Sequence, residues 1–357
     1  MRLQRVVVLG LGKVGSLVGT LLSESGFKVK GLDAVARTGL PFDTEVTNLS
    51  DPAALRPFLN SADAVVSCLP FHLNIALAKE AHVAGIHYFD LTEDVATTDQ
   101  IREMAKTSLG LMAPQCGLAP GFIGIVGADL AKKFDRLRSI ELKVGALPKH
   151  PRGKLGYAFN WSPEGVINEY INDCEVIRMG HRQMVPALEG YEVVVINGVQ
   201  LEAATTSGGL GTMCETYDGK VETLHYKTMR YLGHFDQIKF LFQELRMQDD
   251  RSLLGKVMKN ALPPVAEDYV FVHAAVEGWE GERLSREEFV RAYPQMQVAG
   301  HEWRAISWTT AASLCAVIEM VRDGLLPQQG FLKQESIPLD AFFKTRNGAY
   351  YLKHDRS

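Results

Sequence analysis

No stretch of this 357-residue chain is apolar for the length that a membrane-spanning helix requires, so no such helix is expected. Its start, Met1-Arg2-Leu3-Gln4-Arg5, runs directly into a short apolar segment, too short for the core of a secretory signal. Paired cysteines are also lacking. Cys68, Cys116, Cys174, Cys214 and Cys315 stand far apart, without the close spacings that build a zinc site, so no metal is expected. Their odd number argues against a full disulfide framework, and reduced thiols in the cytoplasm are the expectation. No basic tract is present, and the net charge of −4 sets aside nucleic acid and anionic membrane as partners. A small polar metabolite is the expected partner. Internal repeats and low-complexity tracts are absent as well, and only the end, Lys353–Ser357, reads as frayed.

What is present is enough apolar residue, 46%, to fill two cores, and the length exceeds what one core usually supports. From Arg5 to about Ala113, short β-branched runs alternate with longer amphipathic segments, the pattern of βαβ units feeding a parallel sheet. Strands are expected at Arg5–Leu9, Phe27–Asp33, Ala62–Cys68, Ile86–Leu91 and Gly110–Ala113. Between the first two, Val14, Leu17, Val18, Leu21 and Leu22 mark one face of a helix over Lys13–Ser25, which Gly26 stops. Beyond about Gly124, longer strands with polar alternation are expected at Arg138–Leu147, Tyr191–Ile196, Val221–Met229 and Asp268–Val276. Helical periodicity returns over Ala305–Arg322. The expected fold is α/β: a doubly wound parallel sheet over 1–124 with about 300–340, plus an α+β domain with a mixed or antiparallel sheet over 125–299. A mixed sheet has edges to cover, so a homo-oligomer, a dimer, is expected.

Directly after the first strand comes Gly10-Leu11-Gly12-Lys13-Val14-Gly15, a G-x-G-x-x-G that opens a helix. Gly10 permits the tight turn, Gly12 lets backbone approach a pyrophosphate, and Gly15 allows close helix–strand packing. The helix start, with Lys13 and Val14, offers N–H groups to phosphate. Asp33 ends the second strand and is placed for the adenosine ribose hydroxyls, and its charge repels a 2′-phosphate. A Rossmann domain that binds NAD is therefore expected, with Arg37 keeping NADP open. Cys68, Leu69 and Pro70 close a later strand, where backbone would flank the nicotinamide ribose; the alternative is that Pro70 only begins the loop before a helix over Asn74–Ala84.

Two more strand ends face the same sheet edge. One is Asp90-Leu91-Thr92-Glu93-Asp94, in which Leu91 and Thr92 are expected against cofactor and Glu93 or Asp94 is a candidate proton acceptor. A carboxylate there is also a common helix cap or surface group. The other runs from Pro114 to Phe122 and includes Gln115, Gly117, Ala119 and Gly121. Gly117 would bring backbone near a flat ring. Cys116 has no His or Asn partner at a recognised spacing and reads as packing rather than as a nucleophile.

The fingerprint, then S-C-L-P, Y-F-D-L-T-E-D and C-G-L-A-P-G-F, resembles the saccharopine dehydrogenase-like family, and within it the lysine 6-dehydrogenase branch. The similarity continues through Asn160-Trp161-Ser162-Pro163-Glu164-Gly165, the strand Lys227–His234, and Gly330–Pro338. The resemblance implies oxidation of an amino-acid C–N bond, or its reverse, with hydride passing to or from a nicotinamide; lysine or a lysine derivative is the implied substrate. Saccharopine and carboxynorspermidine-type imine reductases are the alternative. Ala119 stands where saccharopine reductases carry an acid in G-L-D-P-G, which favours the lysine-like reading. Gln115 stands where the lysine branch carries an acid, which leaves the exact substrate open.

The second domain needs a cation for a substrate carboxylate, and the planar guanidinium of Arg230 suits it. His225, Lys227 and His234 are close in sequence, and any of the four could bind substrate or relay a proton. Trp161 is a candidate wall for an aliphatic chain, or an ordinary core residue. Glu164 and Glu169, five apart, do not share one helix face, so at most one would meet an ammonium. A protein that binds NAD without turnover is a reading from another class.

Overall fold

The computed structural model describes residues 3–353, so residues 354–357 of the tail expected to fray lie outside the described residues. Two compact units are present: residues 3–122, 297–301 and 307–353 form the first, and residues 123–296 and 302–306 the second.

In the first unit, strands β1 (Arg5–Leu9), β2 (Lys28–Asp33), β3 (Asp43–Val46), β4 (Ala64–Ser67), β5 (His87–Asp90) and β6 (Leu111–Ala113) join a final short strand, Gly330–Phe331. Their order is Gly330–Phe331, β6, β5, β4, β1, β2, β3, and every pairing is parallel. Val6, Val7 and Val8 are all buried, as a strand covered on both faces demands. Helix α1 (Gly15–Glu24) buries Leu17, Val18, Leu21 and Leu22. It closes where the Phe27 N–H reaches back to the Leu22 carbonyl, which is why β2 starts at Lys28 and not at the expected Phe27. Helices α2 (Pro52–Leu59), α3 (Asn74–Ala84) and α4 (Val95–Ala105) link the later strands. The strand order reverses direction between β1 and β4, and in such sheets ligands lie outside the carboxyl ends at that point.

In the second unit, β7 (Arg136–Pro148), β8 (Cys174–Arg178), β9 (His181–Val185), β10 (Glu192–Ile196), β11 (Val199–Thr205), β12 (Thr223–Tyr231), β13 (Asp268–Glu280) and β14 (Arg283–Pro294) form one mixed sheet. Only β12 with β7 is parallel; the remaining pairs are antiparallel. Helices Pro163–Ile171, His234–Lys239 and Arg251–Ala261 bring Val166, Tyr170, Phe235, Ile238 and Leu254 into one core with Leu201, Met229 and Phe271 of the sheet. β12 begins two residues later than expected and runs on to Tyr231, which puts Arg230 inside the strand. No helix of the described residues is long and apolar enough to cross a membrane.

The helix Ala305–Arg322 contributes its part from Ser307 onward to the first unit. Near its end, buried Glu319 accepts hydrogen bonds from Ser25 Oγ at 2.5 Å, Asn347 Nδ2 at 2.8 Å and the Asn347 N–H at 3.2 Å. One carboxylate therefore holds α1 and the C-terminal segment to this helix. Removing it strands buried donors, each of which costs about 1–3 kcal/mol. Glu319→Ala is expected to lower stability by about 2–4 kcal/mol in chemical denaturation, and an unchanged midpoint would show that the tie carries no weight.

Candidate active site

The turn between β1 and α1 is built on close approach. A Cβ on Gly15 would lie 1.8 Å from the Gly10 carbonyl oxygen, so no larger residue fits there. At Gly12 the opposite holds: a Cβ would meet nothing within 4 Å, leaving bare backbone open to an approaching group. No side chain caps α1 and no acid lies in its first turn. Anions favour such a terminus through its N–H groups and dipole. At the end of β2, Asp33 is 7% exposed and accepts the N–H of Leu11 at 2.7 Å and of Val35 at 2.9 Å. Arg37 Nε is 3.3 Å away. Burial pushes the Asp33 carboxyl up, but these N–H groups and the Arg37 cation outweigh burial and hold it below its ordinary value. It stays ionised and oriented, as a ribose-hydroxyl acceptor must be. Open backbone, an uncapped helix start and this fixed carboxylate together fit a nicotinamide dinucleotide.

Asp90 organises the other half of the sheet edge. It is wholly buried and accepts hydrogen bonds from Tyr88 Oη at 2.8 Å, Asn74 Nδ2 at 3.3 Å, and the N–H groups of Thr92 and Gln115 at 3.0 Å each. Asn74 in turn accepts from Ser67 Oγ at 2.6 Å, and the Cys116 N–H bonds the Asp90 carbonyl at 2.9 Å. The ends of β4, β5 and β6 are thereby laced together around one side chain. They carry Cys68, Leu69 and Pro70 after β4, Leu91 and Thr92 after β5, and Gly117 and Ala119 after β6. Gln115 adopts a left-handed backbone, φ 65°, within this lacing. Burial raises the Asp90 carboxyl to about 6 against the pull of its donors.

Of the two acids that follow β5, Asp94 is a helix cap: its side chain accepts the Thr97 N–H at 2.7 Å and starts α4. Glu93 is different. Burial pushes its carboxyl up to about 7, with the nearby Asp94 and Asp90 charges adding to the rise and a backbone N–H opposing it. A carboxyl in that range exchanges a proton near neutrality. Cys116 donates to the Ala113 carbonyl at 3.2 Å, and burial pushes its thiol well up, so it is inert as a nucleophile.

In the second unit the residues around β12 separate into two groups. Residues three apart on a strand point to opposite faces, and Lys227 and Arg230 do so. Arg230 is buried, and its Nε donates to Tyr170 Oη at 2.7 Å. One terminal nitrogen donates to the Met229 carbonyl at 2.9 Å and the other to Glu169 at 3.4 Å, with the guanidinium over the Tyr157 ring. Of its five N–H groups, these bonds leave one on each terminal nitrogen among the described residues. Tyr170 also contacts His234 Nε2 at 3.0 Å, and His234 Nδ1 lies 2.7 Å from the Leu155 carbonyl. A carbonyl only accepts, so Nδ1 carries the proton, Nε2 accepts from Tyr170, and Tyr170 accepts from Arg230. Of the four residues that could bind substrate or relay a proton, Arg230 and His234 share a network, whereas His225 and Lys227 lie on the other face of β12. Lys227 pairs with Glu192 at 2.8 Å. Burial, with the Lys227 and Lys143 cations, pushes His225 down to about 4. Trp161 donates to Tyr157 Oη at 3.0 Å and packs on the core. Glu164 pairs with Lys259, whereas Glu169 meets Arg230, as their different helix faces require. Sequence reading misses Tyr170 and Tyr157, which meet Arg230 from a distant part of the chain, and Asn74, whose role shows only once the ends of β4 and β5 lie side by side.

Residues 6–109 match the family model described as the saccharopine dehydrogenase NADP binding domain, and residues 117–345 match the saccharopine dehydrogenase C-terminal domain. Among solved structures, apo histidine-tagged saccharopine dehydrogenase (L-Glu forming) from Saccharomyces cerevisiae is 16% identical with a TM-score of 0.78, covering 98% of each chain. C. glutamicum DAP dehydrogenase in complex with DAP is 11% identical with a TM-score of 0.53, covering 99% of this chain and 100% of that one. An engineered D-amino acid dehydrogenase is 12% identical with a TM-score of 0.51, over 98% and 99%. These structural likenesses establish the fold.

The His234 network makes a pH prediction. Burial and the Arg230 cation push this imidazole down from 6.5 to about 3, against the Leu155 carbonyl. The unfolded chain then binds the proton first, so the stability due to neutral His234 is complete above about 6.5 and is lost as pH falls towards 3. Gln keeps a donor and an acceptor but does not titrate. Between pH 7 and 4.5 the urea midpoint of His234→Gln should fall less than that of the unaltered protein; equal falls would remove His234 from the acid response.

Proposed function

Because the chain belongs to the saccharopine dehydrogenase family and is an NAD(P)-dependent dehydrogenase, we propose that it oxidises the C–N bond of an amino acid, with lysine or a lysine derivative as substrate, in the manner of a lysine 6-dehydrogenase. When bound, the nicotinamide supplies the hydride acceptor. The carrying observation is Glu93, a carboxyl raised to about 7 on the sheet edge that also bears the dinucleotide cradle. Turning an amine into an imine releases one hydride from carbon and one proton from nitrogen, and Glu93 takes that proton. His225 and Lys227 are set aside as proton acceptors, since the first is a depressed imidazole and the second is held by Glu192.

Arg230 binds the substrate carboxylate through its two remaining N–H groups, and Glu169 beside it answers the ammonium, so the pair matches both charges of an amino acid. Tyr170 and His234 position the guanidinium. Trp161 acts through Tyr157, over which Arg230 lies, and not by itself walling the aliphatic chain. Ala119 supports a lysine-like substrate over saccharopine, because the turn after β6 carries no acid at that position.

Asp33 supports NAD as the preferred cofactor, since an ionised carboxylate at the ribose repels a 2′-phosphate. Two measurements follow. Absorbance at 340 nm, with NAD or NADP against lysine, saccharopine and other diamines at mildly alkaline pH, should rise with NAD and lysine. Turnover with saccharopine alone would overturn the substrate, and cofactor binding without turnover of any amine would favour a sensor. Asp33→Asn should narrow the NAD over NADP preference by about tenfold, roughly the 1.4 kcal/mol of one charge interaction lost; an unchanged ratio would mean that Asp33 does not read the ribose.

A further inference from the structure

Gln334 follows the strand Gly330–Phe331, which lies parallel to β6. It and the Pro114–Gly117 turn therefore both emerge past the carboxyl ends of neighbouring strands. Its Nε2 donates to the Pro114 carbonyl at 3.0 Å and lies 3.3 Å from Cys116 Sγ. Since a carbonyl cannot donate, the amide orientation is fixed, with nitrogen towards Pro114 and Oε1 turned away from it. Gln334 is buried, 5% exposed, and its Oε1 has no hydrogen-bond partner among the described residues. A buried acceptor without a donor is costly and calls for a group that satisfies it.

The halves of the sheet indicate which group that is. Asp33, on β2, assigns the adenosine end of a dinucleotide to the β1–β3 side of the switch point, which leaves β4 to β6 for the nicotinamide. The ring's carboxamide carries its only N–H donors, and an amide oxygen is their natural acceptor. We propose that Gln334 Oε1 accepts a hydrogen bond from the nicotinamide carboxamide and so fixes the rotation of the ring over the turn after β6. This rests on the reading of the first unit as a nicotinamide dinucleotide site. Pro114 and Cys116 act as positioning groups, because they hold the Gln334 amide in one orientation.

The test is calorimetric binding, without turnover, of three ligands: NAD, its 3-acetylpyridine analogue, in which a methyl ketone replaces the amide and removes the N–H donors, and ADP-ribose, which lacks the ring. The unaltered protein should bind NAD about tenfold more tightly than the analogue, the scale of one hydrogen bond to a buried acceptor. Gln334→Met should bind both alike while binding ADP-ribose as the unaltered protein does, which also reports an intact fold. The proposal is overturned if the unaltered protein binds NAD and the analogue equally, a result that needs no variant, or if Gln334→Met keeps the original preference. Failure of ADP-ribose to bind the unaltered protein would overturn the cofactor reading itself, and the role of Gln334 with it.

Discussion

One buried carboxyl, that of Asp90, holds the geometry on which the first unit's chemistry depends. Short parallel strands end in loops whose N–H groups have no ladder partner, and a sheet edge made only of such ends would be loose. Asp90 gathers the N–H groups of Thr92 and Gln115, the hydroxyl of Tyr88 and the amide of Asn74, and through Asn74 reaches Ser67. The turns after β4, β5 and β6 are thus set by one residue. Its charge also reaches Glu93, where, after that group's own desolvation and the Asp94 charge, it adds to the rise of the carboxyl to about 7.

The second unit solves a different problem: keeping a guanidinium buried. Arg230 is compensated by Glu169, Tyr170 and the Met229 carbonyl, and the direction of the hydrogen bonds through Tyr170 to His234 follows from a single carbonyl acceptor at Leu155. Breaking such a network by removing one partner is more costly than the pair is worth in isolation. On the opposite face of β12, Lys227 and the buried Lys143 share Glu192, and Glu141 completes their neutralisation. That separation follows from strand alternation.

Much of the first unit was legible because its signals are local. The glycine fingerprint, the valines of β1 and the stripe of α1 lie within consecutive residues, and β1 and α3 begin and end where their sequence patterns do. Asp33 was legible from its distance to the fingerprint. The second unit was legible as a mixed sheet but not in its site, because Arg230 meets Tyr170 sixty residues away and sequence proximity alone groups it with Lys227 and His225. Glu93 and Asp94 are equivalent on paper; only the capping of α4 by Asp94 and the desolvation that raises Glu93 tell them apart. Gln334 was invisible for a similar reason, since its partners Pro114 and Cys116 lie 220 and 218 residues earlier in the chain.

The central claim is that the sheet edge pinned by Asp90 carries its own proton acceptor. The most direct measurement is the pH profile of kcat/KM for amine-dependent NADH formation, compared between the unaltered protein and Glu93→Gln. The account predicts a limb that rises through about pH 7 in the unaltered protein, and in Glu93→Gln the loss of that limb with a fall in rate of about a hundredfold. A limb near 7 that persists unchanged in Glu93→Gln, at an undiminished rate, would contradict it.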